Sequence, residues 1–367
     1  MLRFGLIGCG LHAQWALIPA LGGNAKKAKL AAIADIDEGR LQAVGDVGAA
    51  KYADYRQMLA REKPDAVYVA TLPDTHAAIA VEALEAGCHA VCEKPMALTV
   101  DECRRVIDAA EGAGRRLAVT FESRYYPVNQ KIRQWIAEGR LGHVEAVHLQ
   151  SLWDGHKSFS RVAARRRRLM QLSGGLDCGV HKADLARFWC GGDPSINPGS
   201  RGDWQEIQAR GAWLGEDISP PPHVSVLARL DSGVVVSLNA SMTYTGHIEP
   251  KAMVESACIV GGEGVIQYFH QVPDGPEAAA RTASLVHLVS RTLQEQVPLV
   301  EADHAQAIAW LVDDFADAVA GRPHSPHLPT GHDGLMAQMF VEQANRSARG
   351  LQTRYTAFGA SASTRAR

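Results

Sequence analysis

One stretch, Arg3 to Leu21, limits what this chain can fold into more than any other. Residues 3 to 7 form an apolar run that suits a buried parallel strand. Gly8, Gly10 and Ala13 follow as G-x-G-x-x-A, and a helical apolar pattern comes after them. A dinucleotide is held by its pyrophosphate in just such a strand–turn–helix context. Gly8 permits the tight turn, Gly10 leaves the backbone bare to a phosphate, and Ala13 lets the helix pack close to the strand. The first helical turn, with Leu11 and His12, offers free N–H groups and a partial positive charge.

A glycine turn that binds nothing can share this spacing, so the next strand is decisive. Leu30 to Asp35 is apolar and ends in an acid 22 positions after Ala13. A ribose-binding acid is expected at about 20. Asp35 can accept hydrogen bonds from both ribose hydroxyls and would repel a 2′-phosphate, so NAD is expected over NADP. The competing role for Asp35 is a helix cap after the strand.

The whole chain sets further limits. Its 367 residues suit two domains. A net charge of −2 gives no bulk attraction to nucleic acid or membrane surfaces. No apolar run reaches the ~18 residues of a membrane span, and the first residues enter a strand with no secretory pattern. Seven cysteines show no C-x-x-C pair and 15 histidines show no zinc-type spacing. No metal is expected, and the chain reads as a reduced, cytoplasmic protein.

Strand and helix signals alternate through residues 1–122, which predicts a doubly wound parallel sheet. Pro19 should kink or end the first helix. Asp37 caps a second helix to about Val47. Thr71 to His76 reads as a loop at the C-terminal end of strand 65–70, the edge where open α/β sheets bind ligands; a helix over 77–86 follows. Thr99 and Glu102 form a capping box. Residues 123–359 read as an α+β domain on a large, mostly antiparallel open sheet. Its strands are expected at 143–151, 205–213, 223–230, 233–243 and 251–260. Helices are expected near 128–138, 181–189, 303–320 and 333–349, the last packing back on the first domain. Residues 360–367 read as a disordered tail.

Three clusters carry chemistry. Glu93-Lys94-Pro95 follows a strand at the ligand-binding edge. There Lys94 either meets the nicotinamide and a substrate hydroxyl or is a solvated lysine on a surface turn. Asp177 and His181, four apart, share a helical face. An aspartate beside a histidine orients the ring and stabilises its protonated form, which suits a general base for an alcohol proton. An N-cap and a satisfied helix histidine are the alternative. Arg161 and Arg165 to Arg168 form either a solvated loop or a bidentate hold on an anionic substrate group. Trp153 and His156, just upstream, either face a sugar ring or belong to the core.

Together these residues resemble the Gfo/Idh/MocA oxidoreductases, the group of glucose–fructose oxidoreductase and inositol dehydrogenase. The resemblance is carried by Gly8 to Ala13, Asp35, the Pro73 and His76 loop, Glu93-Lys94-Pro95, and Gly174-Gly-x-x-Asp177-x-Gly-x-His181-x-x-Asp184. Arg124-Tyr-Tyr-Pro127, Ile259 to Gly264 and Asp333 to Gly350 also match. In one departure, Asp74 stands where many members have asparagine. The resemblance implies Lys94, Asp177 and His181 as the catalytic group, with Pro73 and His76 lining the cofactor cleft and Glu93 near the nicotinamide ribose. The expected cofactor site comprises Gly8, Gly10, Leu11, His12, Ala13, Asp35, Thr71, Pro73, His76, Glu93 and Lys94. Substrate contacts are expected from Arg124, Trp153, Arg165, Arg168 and His181.

The implied reaction is oxidation of a secondary alcohol of a sugar, cyclitol or sugar derivative, anionic ones included, by NAD. Either His181 or Lys94 accepts the hydroxyl proton. Two other readings stay open. One is an NAD-retaining glycosidase that cleaves through transient oxidation and elimination. The other is a non-catalytic NAD-binding regulator. A homodimer or homotetramer is implied by the resemblance.

Overall fold

The structure, a computed structural model, describes residues 1–152, 174, 176–191, 196, 199–213, 219–242, 252–273, 283–300 and 302–363. Its helices are α1 (Glu38–Ala43), α2 (Tyr55–Glu62), α3 (Pro73–Glu85), α4 (Val100–Gly112), α5 (Pro127–Ala137), α6 (Leu176–Cys190), α7 (His304–Val319) and α8 (Gly331–Ser363). The chain divides into two units, Met1–Tyr126 with Ala302–Gln338, and Pro127–Glu301 with Met339–Arg367.

Six strands build the first unit: β1 (Leu2–Ile7), β2 (Ala28–Ala34), β3 (Ala50–Tyr52), β4 (Ala66–Val69), β5 (His89–Cys92) and β6 (Leu117–Val119). They are all parallel, in the order β3-β2-β1-β4-β5-β6. Every residue of β4 is buried, as a sheet covered on both faces requires. The strand order reverses between β1 and β4, and a doubly wound sheet opens its ligand crevice at such a switch point. Helix α7 returns from the far end of the sequence to this unit. Its Ile308, Leu311, Val312 and Phe315 share one core with Phe4, Leu6, Leu17 and Leu21. Full burial of each such side chain contributes roughly 1.5–3 kcal/mol. The opening turn of α8 also belongs here: Thr330 bridges to Ala118, and Gln338 donates to the Leu98 carbonyl at 2.6 Å. Residues 302–338 thus join the first unit, although the sequence assigned 123–359 to the second domain.

Several local expectations are corrected. Pro19 does not end the first helix. Two π-helical turns, Ala13–Leu17 and Ala20–Asn24, flank it. A π turn widens the helix by one residue, which accommodates a residue with no N–H to donate. Pro73 to His76 are not loop but the first turn of α3, because proline at the first helical position gives up an N–H that has no helical partner there. Helix α1 stops at Ala43, before the expected Val47, and the short strand β3 follows.

Among the described residues the second unit carries eight strands: β7 (Val144–Leu152), β8 (Trp204–Ala212), β9 (His223–Leu230), β10 (Val235–Ser241), β11 (Ala252–Gly261), β12 (Gly264–Pro273), β13 (Ala283–Ser290) and β14 (Gln294–Val300). Their order is β14-β13-β12-β11-β7-β10-β9-β8, antiparallel except for the β7–β10 pair. The last three strands escaped the sequence reading. β14 opens with the polar run Gln294 to Gln296 and contains Pro298, which an edge strand tolerates because the missing N–H faces no neighbour. Helix α6 packs on β7 and β10. A Cβ at Gly179 would lie 3.0 Å from the Ala240 methyl, so this glycine sets how closely α6 approaches the sheet. Helix α8 continues through Ser363, so residues 360–363, expected in a disordered tail, are helical. Their alanines favour helix over coil.

Candidate active site

The glycine turn sits at the switch point. Gly8 has φ +103° and its N–H donates to the Ala34 carbonyl at 2.8 Å. An added Cβ would lie 2.5 Å from the Ala70 carbonyl oxygen, so no side chain fits here. Ala13 is buried, whereas Leu11 is half exposed at the mouth of the turn. Asp35 is buried and clamps this turn to the end of β2. One carboxylate oxygen accepts from the Cys9 N–H at 2.7 Å and the other from the Asp37 N–H at 2.9 Å. The cap of α1 is Asp37, which accepts from the Arg40 N–H. The competing cap role for Asp35 is thereby filled by its neighbour. Arg40 lies 3.7 Å from Asp35 and 3.4 Å from Asp37. This cradle fits a dinucleotide: a bare turn, a helix N-terminus and an acid at the ribose position.

The β4 loop joins that edge to the lysine turn. His76 is buried, with Nδ1 2.8 Å from the Pro95 carbonyl and Nε2 3.3 Å from the Thr71 carbonyl. Burial holds its pKa below the ordinary value, so the ring is neutral and donates to one carbonyl, the nearer being that of Pro95. His76 therefore pins the backbone that follows Lys94. Thr71 Oγ1 pairs with Thr75 Oγ1 at 2.7 Å, Pro73 is buried and Asp74 is exposed. The Lys94–Pro95 peptide bond is cis.

Behind the lysine turn lies a buried ionisable cluster. Glu93 accepts from the Tyr68 hydroxyl at 3.0 Å, and Tyr68 is paired with Thr120 at 2.7 Å. Burial raises the Glu93 carboxyl, and Lys94 works against that rise. Glu122, in the 3-10 turn Glu122–Tyr125 after β6, is pushed up to about 8 by burial and then by Glu93. His304, the first residue of α7, has Nε2 3.0 Å from His12 Nε2 and Nδ1 2.9 Å from the Tyr126 hydroxyl. Burial, then His12 and Lys94, push it down to about 3. Trp15 packs against both rings, edge-on to His12 with centroids 5.3 Å apart and tilted over His304 with centroids 4.9 Å apart. Glu122, Tyr126 and His304 were not singled out as site residues in the sequence. No short-range spacing links His12 to a residue 292 positions away.

Arg124, expected at the substrate, is buried in the first unit. It pairs with Asp333 at 2.9 Å and donates to the His327 carbonyl at 3.3 Å. In the second unit, helix α6 includes both Asp177 and His181. His181 is half-buried, and the side chain of Asp177 lies outside the described residues. The neighbouring Lys182 is buried and pairs with Glu255 at 2.9 Å. Trp153, His156, Arg161 and Arg165 to Arg168 lie outside the described residues. Among the described residues no His, Cys, Asp and Glu group is arranged to hold a metal, and no helix is long and apolar enough to cross a membrane.

Sequence profiles of one family match both parts of the chain. "Oxidoreductase family, NAD-binding Rossmann fold" covers residues 2–121 and "GFO/IDH/MocA C-terminal domain" covers residues 129–267. The Bacillus subtilis (strain 168) oxidoreductase YteT is 36% identical over 144 residues, which is 38% of this chain and 33% of YteT. Inositol 2-dehydrogenase of Rhizobium meliloti (strain 1021) is 26% identical over 359 residues, 94% of this chain and 96% of that protein. The match thus spans a third of one relative and nearly all of the other. The crystal structure of the WlbA dehydrogenase from Bordetella pertussis, in complex with NADH and UDP-GlcNAcA, shares the fold. Its TM-score is 0.74 at 24% identity, over 95% of this chain and 97% of that one. With both of its parts matched, this chain belongs to the Gfo/Idh/MocA family of oxidoreductases.

Proposed function

We propose that this protein is an NAD-dependent dehydrogenase of a secondary alcohol on a sugar, cyclitol or sugar derivative. The observation that carries the reading is the Gly8 turn, closed to any side chain and clamped by Asp35, on the same sheet edge as Glu93 and Lys94. A related inositol 2-dehydrogenase and a WlbA structure holding UDP-GlcNAcA point to polyols and sugars. NAD, when bound, supplies the hydride acceptor. Gly8, Gly10, Leu11, His12 and Ala13 would hold its pyrophosphate, Asp35 its adenosine ribose, and Thr71, Pro73, His76 and Glu93 the rest of the cleft. Asp35 favours NAD over NADP because a carboxylate repels a 2′-phosphate.

The chain's own residues handle the proton. Lys94 polarises the reacting oxygen. His181 accepts the hydroxyl proton, and Asp177, one helical turn before it on α6, orients the imidazole. Lys94 is the alternative acceptor. Incubation with NAD and a panel of neutral and acidic sugars, cyclitols and glycosides tests the reading, with NADH and released sugar recorded together. Stoichiometric NADH without cleavage is expected, and Lys94→Met and His181→Asn should each lower kcat by about 10²–10⁴-fold. Cleavage that needs NAD yet leaves no net NADH would replace the dehydrogenase reading with a redox glycosidase.

A further inference from the structure

His304 and Tyr126 have no assigned part in the oxidation and His12 only a place beside the cofactor, yet their polar atoms form one line that ends at Glu93. The Tyr126 hydroxyl lies 2.9 Å from His304 Nδ1, His304 Nε2 lies 3.0 Å from His12 Nε2, and His12 Nδ1 lies 3.8 Å from Glu93 Oε1. Rotation of either side chain closes the last gap to hydrogen-bond distance.

Two neutral imidazoles that meet Nε2 to Nε2 must share one proton between those atoms, so their tautomers are locked together. In one arrangement Tyr126 donates to His304 Nδ1, His304 Nε2–H donates to His12 Nε2, and the His12 proton sits on Nδ1, aimed at Glu93. In the other, every bond is reversed: His12 Nε2–H donates to His304, and His304 Nδ1–H donates to the tyrosine oxygen. In both, the two rings carry their protons on opposite kinds of nitrogen. Such a pair moves a proton without moving a heavy atom far.

We propose that Glu93, His12, His304 and Tyr126 form a proton wire that carries the proton released by alcohol oxidation out to solvent. The proposal rests on the dehydrogenase reading. With Lys94 as the acceptor, its ammonium passes the proton to the neighbouring Glu93 carboxylate, leaving neutral lysine; starting from the second arrangement, protonated Glu93 then gives that proton to His12 Nδ1. His12 releases its Nε2 proton to His304 Nε2, and His304 releases its Nδ1 proton to the Tyr126 oxygen. The original tyrosine proton passes to water. The products are ionised Glu93, a hydronium ion and the first arrangement, so charge and protons balance.

The surroundings suit this task. His304 faces His12, Lys94, Asp303, Glu122 and Tyr126, and its burial keeps the ring neutral. Glu93 faces Lys94, His76, Tyr68, Thr120, Cys92, Glu122 and His12, and burial lets it hold a proton more readily than an exposed glutamate. Tyr126, the last member of the wire, is only half-buried, which gives the wire an outlet to water.

Two measurements on the full chain test the wire. The first needs no substrate: ¹⁵N spectra of the histidines at neutral pH should show His12 and His304 both uncharged and in opposite tautomers. Equal tautomers, or a charge on either ring, overturn the wire whether or not the protein oxidises an alcohol. The second is turnover in weak buffer. His304→Phe, or His304→Gln should the first variant fold poorly, is expected to lose about tenfold in kcat with KM for NAD unchanged. Added imidazole should restore the rate. A variant with wild-type turnover, or a loss that imidazole leaves untouched, overturns the wire. Absence of NADH from the wild-type protein with every alcohol would instead count against the dehydrogenase reading.

Discussion

His12 and His304 stand 292 residues apart in sequence and 3.0 Å apart at their Nε2 atoms. His12 lies in the first turn after the glycine motif, and His304 opens α7, whose start is fixed by the Asp303 side chain accepting from the Gln306 N–H at 2.7 Å. One helix start thus completes the other. The contact ties the nucleotide-binding turn to the helix that closes the first unit's core, and several consequences can be measured around it.

Gly8→Ala should damage the turn itself. The new methyl would meet the Ala70 carbonyl at 2.5 Å with φ at +103°. A strained backbone of this kind costs about 1–3 kcal/mol before the clash is counted. A lower thermal midpoint and at least tenfold weaker NADH binding by fluorescence titration are expected; an unchanged protein would mean that the turn is not a phosphate cradle.

Asp35→Asn should relax the choice of cofactor. The amide keeps one oxygen to accept from Cys9 or Asp37, so the turn survives, but the charge facing a 2′-phosphate is gone. Arg40, now without that carboxylate, stays beside the ribose position. The ratio of NADPH to NADH affinity should rise about tenfold, equivalent to ~1.4 kcal/mol. Equal affinities in the wild-type protein would overturn the assignment of Asp35.

Glu122 and His304 should give stability a pH dependence of opposite sign. The Glu122 carboxyl rises from 4.5 to about 8 on folding. Between those values the folded protein keeps a proton that the unfolded chain has lost, so this stabilisation is whole below 4.5 and is lost as pH rises through about 8. His304 falls from 6.5 to about 3. The unfolded chain takes up that proton first, so this contribution is whole above 6.5 and is lost as pH falls through about 3. Glu122→Gln should raise stability at pH 8 relative to the wild type by on the order of 2 kcal/mol. His304→Phe should flatten the acid side. Urea unfolding midpoints across pH measure both slopes, and an unaltered alkaline slope in Glu122→Gln would refute the first.

Arg124→Ala should act on stability more than on substrate affinity. It would strand the Asp333 carboxylate, whose partner guanidinium is almost fully buried at 2.9 Å. Removing one member of a buried pair costs roughly 3 kcal/mol. Asp333→Asn in the same background should recover part of that loss. A large rise in KM at unchanged stability would instead return Arg124 to the substrate.

Much of the first unit was legible because its signals are short-range. A buried strand, a turn that only glycine fits and an acid at the next strand end each depend on neighbouring residues, and Gly8, Ala13 and Asp35 stand at the switch point those spacings imply. Caps were equally readable, as Thr99 accepting from the Glu102 N–H at 3.1 Å shows. Pro73 was misread because proline's effect depends on its place in the helix, and only the formed helix gives that place.

The sequence by itself determined the two fold types, the spacing of the glycine turn and its strand-end acid, and the residue types available for chemistry. Tertiary structure alone decided that α7 completes the first core, that Arg124 pairs with Asp333, and that His304, Tyr126 and Glu122 gather around His12 and Glu93. The reason is physical. Local periodicity records which face of an element is buried, but the partner that buries it, and the desolvation that then shifts its ionisable groups, exist only after distant segments have packed.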